Sequence, residues 1–361
     1  MSIDARLIML STALLLTAAA PAADAEDFAI PFQKSIDADG PLQLTIVNVA
    51  GRVQVEPSAD GLLTIEAVKH VTAADQREAD SVAAGMEIEI TALEKHYTIR
   101  PTYPGGDGDR SDSFWQKLLG KSGGPACGAV DIAVSAPADC TVDITCQSGD
   151  ITVDGLEGAV TVSAASADVA VGGVFGGVTV TTASGDVDVR TVEGPVAVTA
   201  ESGDIGCHRL TGPVDIRNQS GRTICEDVAG DISILQPGGR VELTQISGDV
   251  RIKAGTSRIR VDQQSGALTI TAESGDIDIK TYLDSDKDFL VETASGSITF
   301  AVPPSASGSV RMETGSGKLD TELPLTFDVF EKTRITGDFG DGGPKISLST
   351  LSGNIKLGEY R

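Results

Sequence analysis

An 18-residue clock constrains this chain more than any other feature. Ser148, Ser166, Ser184, Ser202 and Ser220 are each 18 residues apart, and so are Gly158, Gly176, Gly194, Gly212, Gly230, Gly248 and Gly266. Apolar positions keep the same time. Three and five residues after each serine stand Ile151 and Val153, Val169 and Val171, Val187 and Val189, Ile205 and Cys207. Twelve and fourteen residues after it stand Val160 and Val162, Val178 and Val180, Val196 and Val198, Val214 and Ile216. Between the members of each pair the residues are mostly small or polar, as at Thr152, Thr179 and Asp188. Period-two alternation of β-branched residues describes a strand with one buried face. A strand-plus-corner of nine residues cannot bury that face alone, but repeats stacked ~4.8 Å apart can. The repeat therefore predicts an all-β chain, a parallel β-solenoid (β-helix) of 18-residue coils, with strand, corner, strand, corner in each coil.

The glycines and serines are read as structural corners. Tight turns need φ > 0, which glycine adopts without a Cβ clash. Serine and aspartate beside it bond to the local backbone. Regular coils are expected over residues 131–281. Over residues 282–361 the coils lengthen, because Ser274, Ser295 and Ser316 are 21 apart. Ser352-Gly353-Asn354 repeats the corner, and Ile346, Leu348, Ile355 and Leu357 read as closing strands. Residues 26–100 form a less regular N-terminal cap. Its strands run around Leu44 to Val55, Leu63 to Val68, Ile88 to Ile90 and Tyr97 to Ile99. One short helix is expected from Ala73 to Ala84, entered through Thr72 with Asp75 three residues on. Residues 101–130 break the clock with a Gly-rich excursion holding a short helical segment. That excursion carries Phe114 and the chain's single tryptophan, Trp115, and these two are the candidate partner contacts.

Residues 1–25 read as a secretion signal. Arg6 precedes the apolar run Leu7 to Ala20, and Ala23-Asp24-Ala25 fits a small-x-small cleavage site. The run is shorter than the ~20 residues that span a bilayer. The mature chain is thus expected to be exported, to the periplasm or the cell surface, and not to span a membrane. A net charge of −24 makes nucleic acid a poor partner, since binding it requires phosphate-neutralising Lys and Arg.

The repeat, with Asn48-Val49-Ala50-Gly51-Arg52-Val53-Gln54-Val55, Ala67-Val68-Lys69, the recurrent Ser-Gly-Asp corners and the ending Ile335 to Leu357, resembles a large bacterial family of "putative adhesins". These are secreted domains of unknown function with β-strand repeats. The similarity runs from about Leu42 to the C-terminus. It implies a β-solenoid in the envelope or outside the cell, and it implies no reaction.

The chemistry-bearing residues point the same way. Asp150, Asp168, Asp186 and Asp204 stack along one corner, up to Arg222. Ca²⁺ would relieve their repulsion, but the Gly-Gly-x-Gly-x-Asp pattern of Ca²⁺-binding repeats is absent. The row is read as solvated carboxylates, each bonded to its own turn. Cys207 and Cys225 share one inward offset in adjacent coils and are the candidate disulfide. A reduced, buried pair is the alternative. Cys127, Cys140 and Cys146 lie close in sequence, and one pair among them is expected to bridge in an oxidising compartment. His70, His96 and His208 show no zinc spacing. The corner serine recurs in every coil without a histidine beside it, so it is not a nucleophile. No catalytic residue, metal or cofactor is expected. The predicted function is a non-catalytic scaffold that binds an unidentified surface, glycan or protein. The alternatives are a structural or stress-linked envelope component whose stack templates assembly, and a polysaccharide-active β-helix enzyme. A conserved groove on one solenoid face would favour the binding scaffold. An exposed apolar end cap would favour assembly.

Overall fold

The computed structural model describes residues 26–38, 40–103, 128–284 and 286–360. Residues 1–25, read above as a secretion signal, and Phe114, Trp115 and Cys127 lie outside the described residues. The first strands are β1 (Glu26–Ile36), β2 (Gln43–Ala50), β3 (Val53–Pro57) and β4 (Leu63–Ala73). Helix α1 (Gln76–Ala84), β5 (Ile88–Leu93), β6 (His96–Pro101) and β7 (Gly128–Ala136) follow. The helix starts later than the sequence suggests. Asp75, not Thr72, caps it by accepting from the Glu78 N–H, and Glu78 reaches back to the Ala74 N–H.

Regular coils then alternate between two stacks of parallel strands. One stack holds β8 (Thr141–Ser148), then, after β9 (Ile151–Asp154) of the other, β10 (Val160–Ser166). The alternation continues through β11 (Val169–Val174), β12 (Val178–Ser184), β13 (Val187–Val192), β14 (Val196–Ala200), β15 (Ile205–Thr211), β16 (Val214–Asn218) and β17 (Arg222–Ala229). Each strand pairs in parallel with the one 18 residues on, as in Val142↔Val160↔Val178 and Val169↔Val187↔Ile205. Strands β18 (Ile232–Ser247) and β19 (Val250–Ser265) run unbroken through the corner position, held there by Gly238-Gly239 and Thr256-Ser257, and serve both stacks. The valines and isoleucines of the clock face inward, and nearly all are 2% exposed or less.

One inward column escapes the apolar count. Two residues before most corner serines, or their equivalents, stand Cys146, Thr182, Ala200, Asn218, Gln236 and Ala272, all buried, with Ala164 and Ala254 partly buried. The polar ones bond to corner backbone: Thr182 Oγ1 donates to Ser184 O at 2.9 Å and Asn218 Nδ2 to Gly203 O at 3.2 Å. They supply the hydrogen bonds that buried corner carbonyls require.

Both ends depart from sequence order. Strand β2 pairs with β8 (Leu44↔Val142) and β3 with β9 (Val53↔Ile151), so Gln43–Pro57 is a full solenoid coil rather than part of an irregular cap. On the other side of this coil, β6 pairs with β2 and β7 with β3. Antiparallel strands close this end: β4 on β7, β1 on β4, and β5 on β6. After β20 (Leu268–Ser274), β21 (Ile277–Thr281), β22 (Phe289–Ser295) and β23 (Ile298–Val302), the chain skips one layer. It forms β24 (Gly308–Ser316), β25 (Leu319–Thr321), β26 (Thr326–Phe330) and β27 (Arg334–Phe339), then returns as β28 (Lys345–Ser352) and β29 (Ile355–Glu359). The returning pair lies between β22/β23 and β24/β25. Ile346, Leu348, Ile355 and Leu357 are therefore internal, not closing. Ser274 does oppose Ser295, but Ser295 opposes Ser352, so its 21-residue spacing to Ser316 does not mark adjacent coils. Strands β27 and β26 close this end antiparallel.

Candidate functional site

The Ser-Gly-Asp edge is a self-bonding column. The Ser202 hydroxyl donates to Ala183 O at 3.2 Å and that of Ser220 to Glu201 O at 3.2 Å, each into the preceding coil. Ser148 and Ser184 do the same at 3.4 Å, while Ser166 lies in register between them. The aspartates do not bond to their own turn. Asp168 Oδ1 accepts from the Asp186 N–H, Asp186 Oδ1 from the Asp204 N–H, and Asp204 Oδ1 from the Arg222 N–H, all at 2.8 Å. Each carboxylate thus caps the next coil, which explains why a column of like charges persists. Gly203 in this edge has φ 120°.

The other corner tightens for a different reason. Gly212, Gly248 and Gly266 have positive φ, but Gly158, Gly176, Gly194 and Gly230 do not lie in the left-handed region. Their constraint is closeness: a Cβ on Gly194 would stand 2.5 Å from Gly176 O. The positions just after this corner are small. Ala159, Gly177, Pro195 and Pro213, with the outward Thr161, Thr179 and Ala197, leave a groove of about 480 Å³ along the first stack. It runs over seven rungs, from Ala159 to Ala267, and its charged lining, Asp215, Asp231, Asp249 and Arg251, lies in the far half.

Among the described residues, the cysteines are buried and the histidines are paired with side chains of neighbouring strands. Cys207 and Cys225 face each other in adjacent strands as buried thiols, not as a bridge. The Cys225 thiol is held well above its usual range by its hydrogen bond to Cys207 and by burial. Cys140 and Cys146 are also free; burial, then Asp139, pushes Cys140 up to about 11. A thiol so raised is not a nucleophile at neutral pH. His70 pairs with Asp131 at 3.0 Å and His208 with Glu226 at 3.4 Å, while the His96 ring contacts the Thr45 hydroxyl at 2.9 Å. No group of three or more His, Cys, Asp or Glu able to hold a metal occurs among the described residues. No helix among them is long and apolar enough to cross a membrane.

These features define a two-stack parallel β-solenoid with an open groove on its flank. The chain belongs to the Toastrack family, DUF4097, whose model matches residues 126–258 and 238–358. No curated protein matches it. Among solved structures it is similar to a "putative cell adhesion protein" from Clostridium sporogenes, at 9% identity and TM-score 0.21, over 92% of this chain and 100% of that one. A "putative adhesin" from Bacteroides fragilis shows 13% identity and TM-score 0.26, over 92% and 97%. A "putative lipid binding protein" from Parabacteroides distasonis shows 11% and 0.33, over 92% and 97%. With scores this low, none of the three bears on function.

Proposed function

We propose that this protein is an exported, non-catalytic scaffold of the cell envelope that binds an extended glycan strand along its flank. The groove over seven rungs carries this reading. A groove that repeats at every coil suits a repeating polymer better than a small molecule, for which enclosed pockets are the rule. Its hydroxyl-bearing walls at Thr161, Thr179 and Ser233 can exchange hydrogen bonds with sugar hydroxyls. Export rests on the leader pattern at residues 1–25. Thr179→Trp and Ala197→Trp fill the groove from outward positions without touching the core. Co-sedimentation with isolated envelope polysaccharide is expected to fall at least tenfold in both, with unchanged melting and no release of sugar reducing ends. Equal co-sedimentation of wild type and variants would overturn the groove as the binding surface.

The assembly reading draws on Phe327 and Phe330, 47% and 72% exposed at the C-terminal end. It is the weaker reading, because the strand that carries them is five residues long and has Asp328 at its centre.

A further inference from the structure

The Ser-Gly-Asp edge changes sign along its length. After Asp150, Asp168, Asp186 and Asp204, the same position is held by Arg222, Arg240 and Arg258, and then by Asp276. The three arginines are in register, Arg222↔Arg240↔Arg258, in adjacent strands ~4.8 Å apart. All three are exposed. Arg240 pairs with Glu242 at 3.2 Å, while Arg222 and Arg258 have no ion-pair partner among the described residues. Residues 217–260 hold seven Lys and Arg against five Asp and Glu, so this stretch is positive inside a chain of net charge −24.

An arginine cannot do what the aspartate does here, because it has no acceptor for the next N–H. The corner is instead held from inside. Gln236 Nε2 donates to Gly221 O, Gly238 O and Arg240 O at 2.9, 3.1 and 3.2 Å. Asn218 Nδ2 donates to Gly203 O, and the buried Ser257 hydroxyl donates to Gln236 O at 3.3 Å. The outer position is thereby released from its structural task. Like charges directly opposed across strands destabilise a sheet, so the fold gains nothing from this column.

We infer that Arg222, Arg240 and Arg258 form a docking edge for an acidic polysaccharide, one that carries a carboxylate on successive sugar units. The inference rests on the reading of the protein as a glycan-binding scaffold and names a second site for a different charge class. Guanidinium forks bind carboxylates in bidentate fashion, and a ladder one residue wide matches a single chain. The groove is the less suitable surface for such a polymer, because its far half carries Asp215, Asp231 and Asp249 against the one arginine Arg251. A broad anionic membrane is disfavoured, since Asp204 and Asp276 flank the column and the remaining surface is acidic.

The test is calorimetric titration of the full chain with polygalacturonate, with neutral dextran, and with phosphatidylglycerol vesicles. Wild type is expected to bind polygalacturonate alone, with an affinity that falls as salt rises. The triple variant Arg222→Gln, Arg240→Gln, Arg258→Gln should lose at least tenfold and melt no lower than wild type. Lys34→Gln, Arg77→Gln, Arg100→Gln makes the same charge change at the N-terminal end and should alter affinity less than twofold. Equal loss in both triples, unchanged binding in the first, or no polygalacturonate binding by wild type would overturn the inference. So would vesicle binding through the arginines without polygalacturonate binding. The groove reading would survive each of these results if the tryptophan variants still lost neutral envelope polysaccharide.

Discussion

At the scale of single residues, each coil stacks so closely that side-chain atoms are excluded from some positions and backbone strain is imposed at others. Seven residues past the corner serine, the backbone is left-handed in coil after coil. Gly155 and Gly173 hold that position first, then Thr191, Arg209, Asp227 and Gln245, with φ from 54° to 73°. A left-handed non-glycine residue is strained by about 1–2 kcal/mol, and a β-branched one is the least suited. Thr191→Gly is therefore expected to raise stability by about 0.5–1 kcal/mol, even though it removes the 3.3 Å contact from Arg209 Nε to Thr191 Oγ1. Three residues on, Gly194→Ala should lower stability by ~2 kcal/mol, because its Cβ would meet Gly176 O at 2.5 Å. Urea midpoints read both, and a Thr191→Gly variant less stable than wild type would remove the strain argument. The pair separates two causes that glycine alone conflates: φ at residue 191 and space at residue 194.

At the scale of elements, the strands themselves are written plainly in the sequence, and their order at the ends is not. The inward pairs at Val160 and Val162 or Val187 and Val189 are legible because burial demands the same residue type at each rung. The first coil is also legible once aligned: Leu44, Ile46, Gly51, Val53 and Val55 repeat Val142, Ile144, Gly149, Ile151 and Val153. It was hidden because residues 58–140 separate the two, so distance along the chain ceased to mark neighbours. The C-terminal order is harder to read, since Ser295, Ser316 and Ser352 carry equivalent corners and nothing local says which stacks on which. The left-handed column has no residue signature past Gly173, and the arginine edge is periodic but lies outside the apolar count. The inserted strands make a sharp prediction. Ile346, Leu348, Ile355 and Leu357 are 1% exposed or less, worth roughly 6–12 kcal/mol together at 1.5–3 kcal/mol each. Ending the chain after Pro344 removes the layer between β22/β23 and β24/β25. Hydrogen exchange should then show residues 308–339 unprotected while the coils from Val142 to Ile279 stay protected. Retained protection at Val310 and Met312 would mean that β24 can restack directly on β22.

At the scale of the whole molecule, a solenoid must stop without offering its last strand to another chain, because an unpaired edge templates association. At the N-terminal end, β1 covers β4 and turns Phe28, Ile30 and Phe32 partly into the core, with Pro31 among them. At the C-terminal end the outermost strand is β26, Thr326–Phe330, which pairs only with β27 among the described residues. Its Phe327 and Phe330 rings touch edge-to-face at 5.0 Å and stay exposed. Such a segment, short, aromatic and β-prone, is an association hazard. Two features at one residue blunt it: Asp328 puts a charge on the edge, and the register shifts between Phe327 and Val329, so Asp328 is the bulge. Asp328→Val removes the charge and favours a straight strand. Wild type is expected to sediment as one species over a hundredfold range of concentration. The variant should form larger species as concentration rises, with the melting transition unchanged. If it sediments as wild type does, the free edge of β26 is not the barrier to end-to-end growth, and the exposed phenylalanine pair gives no support to assembly.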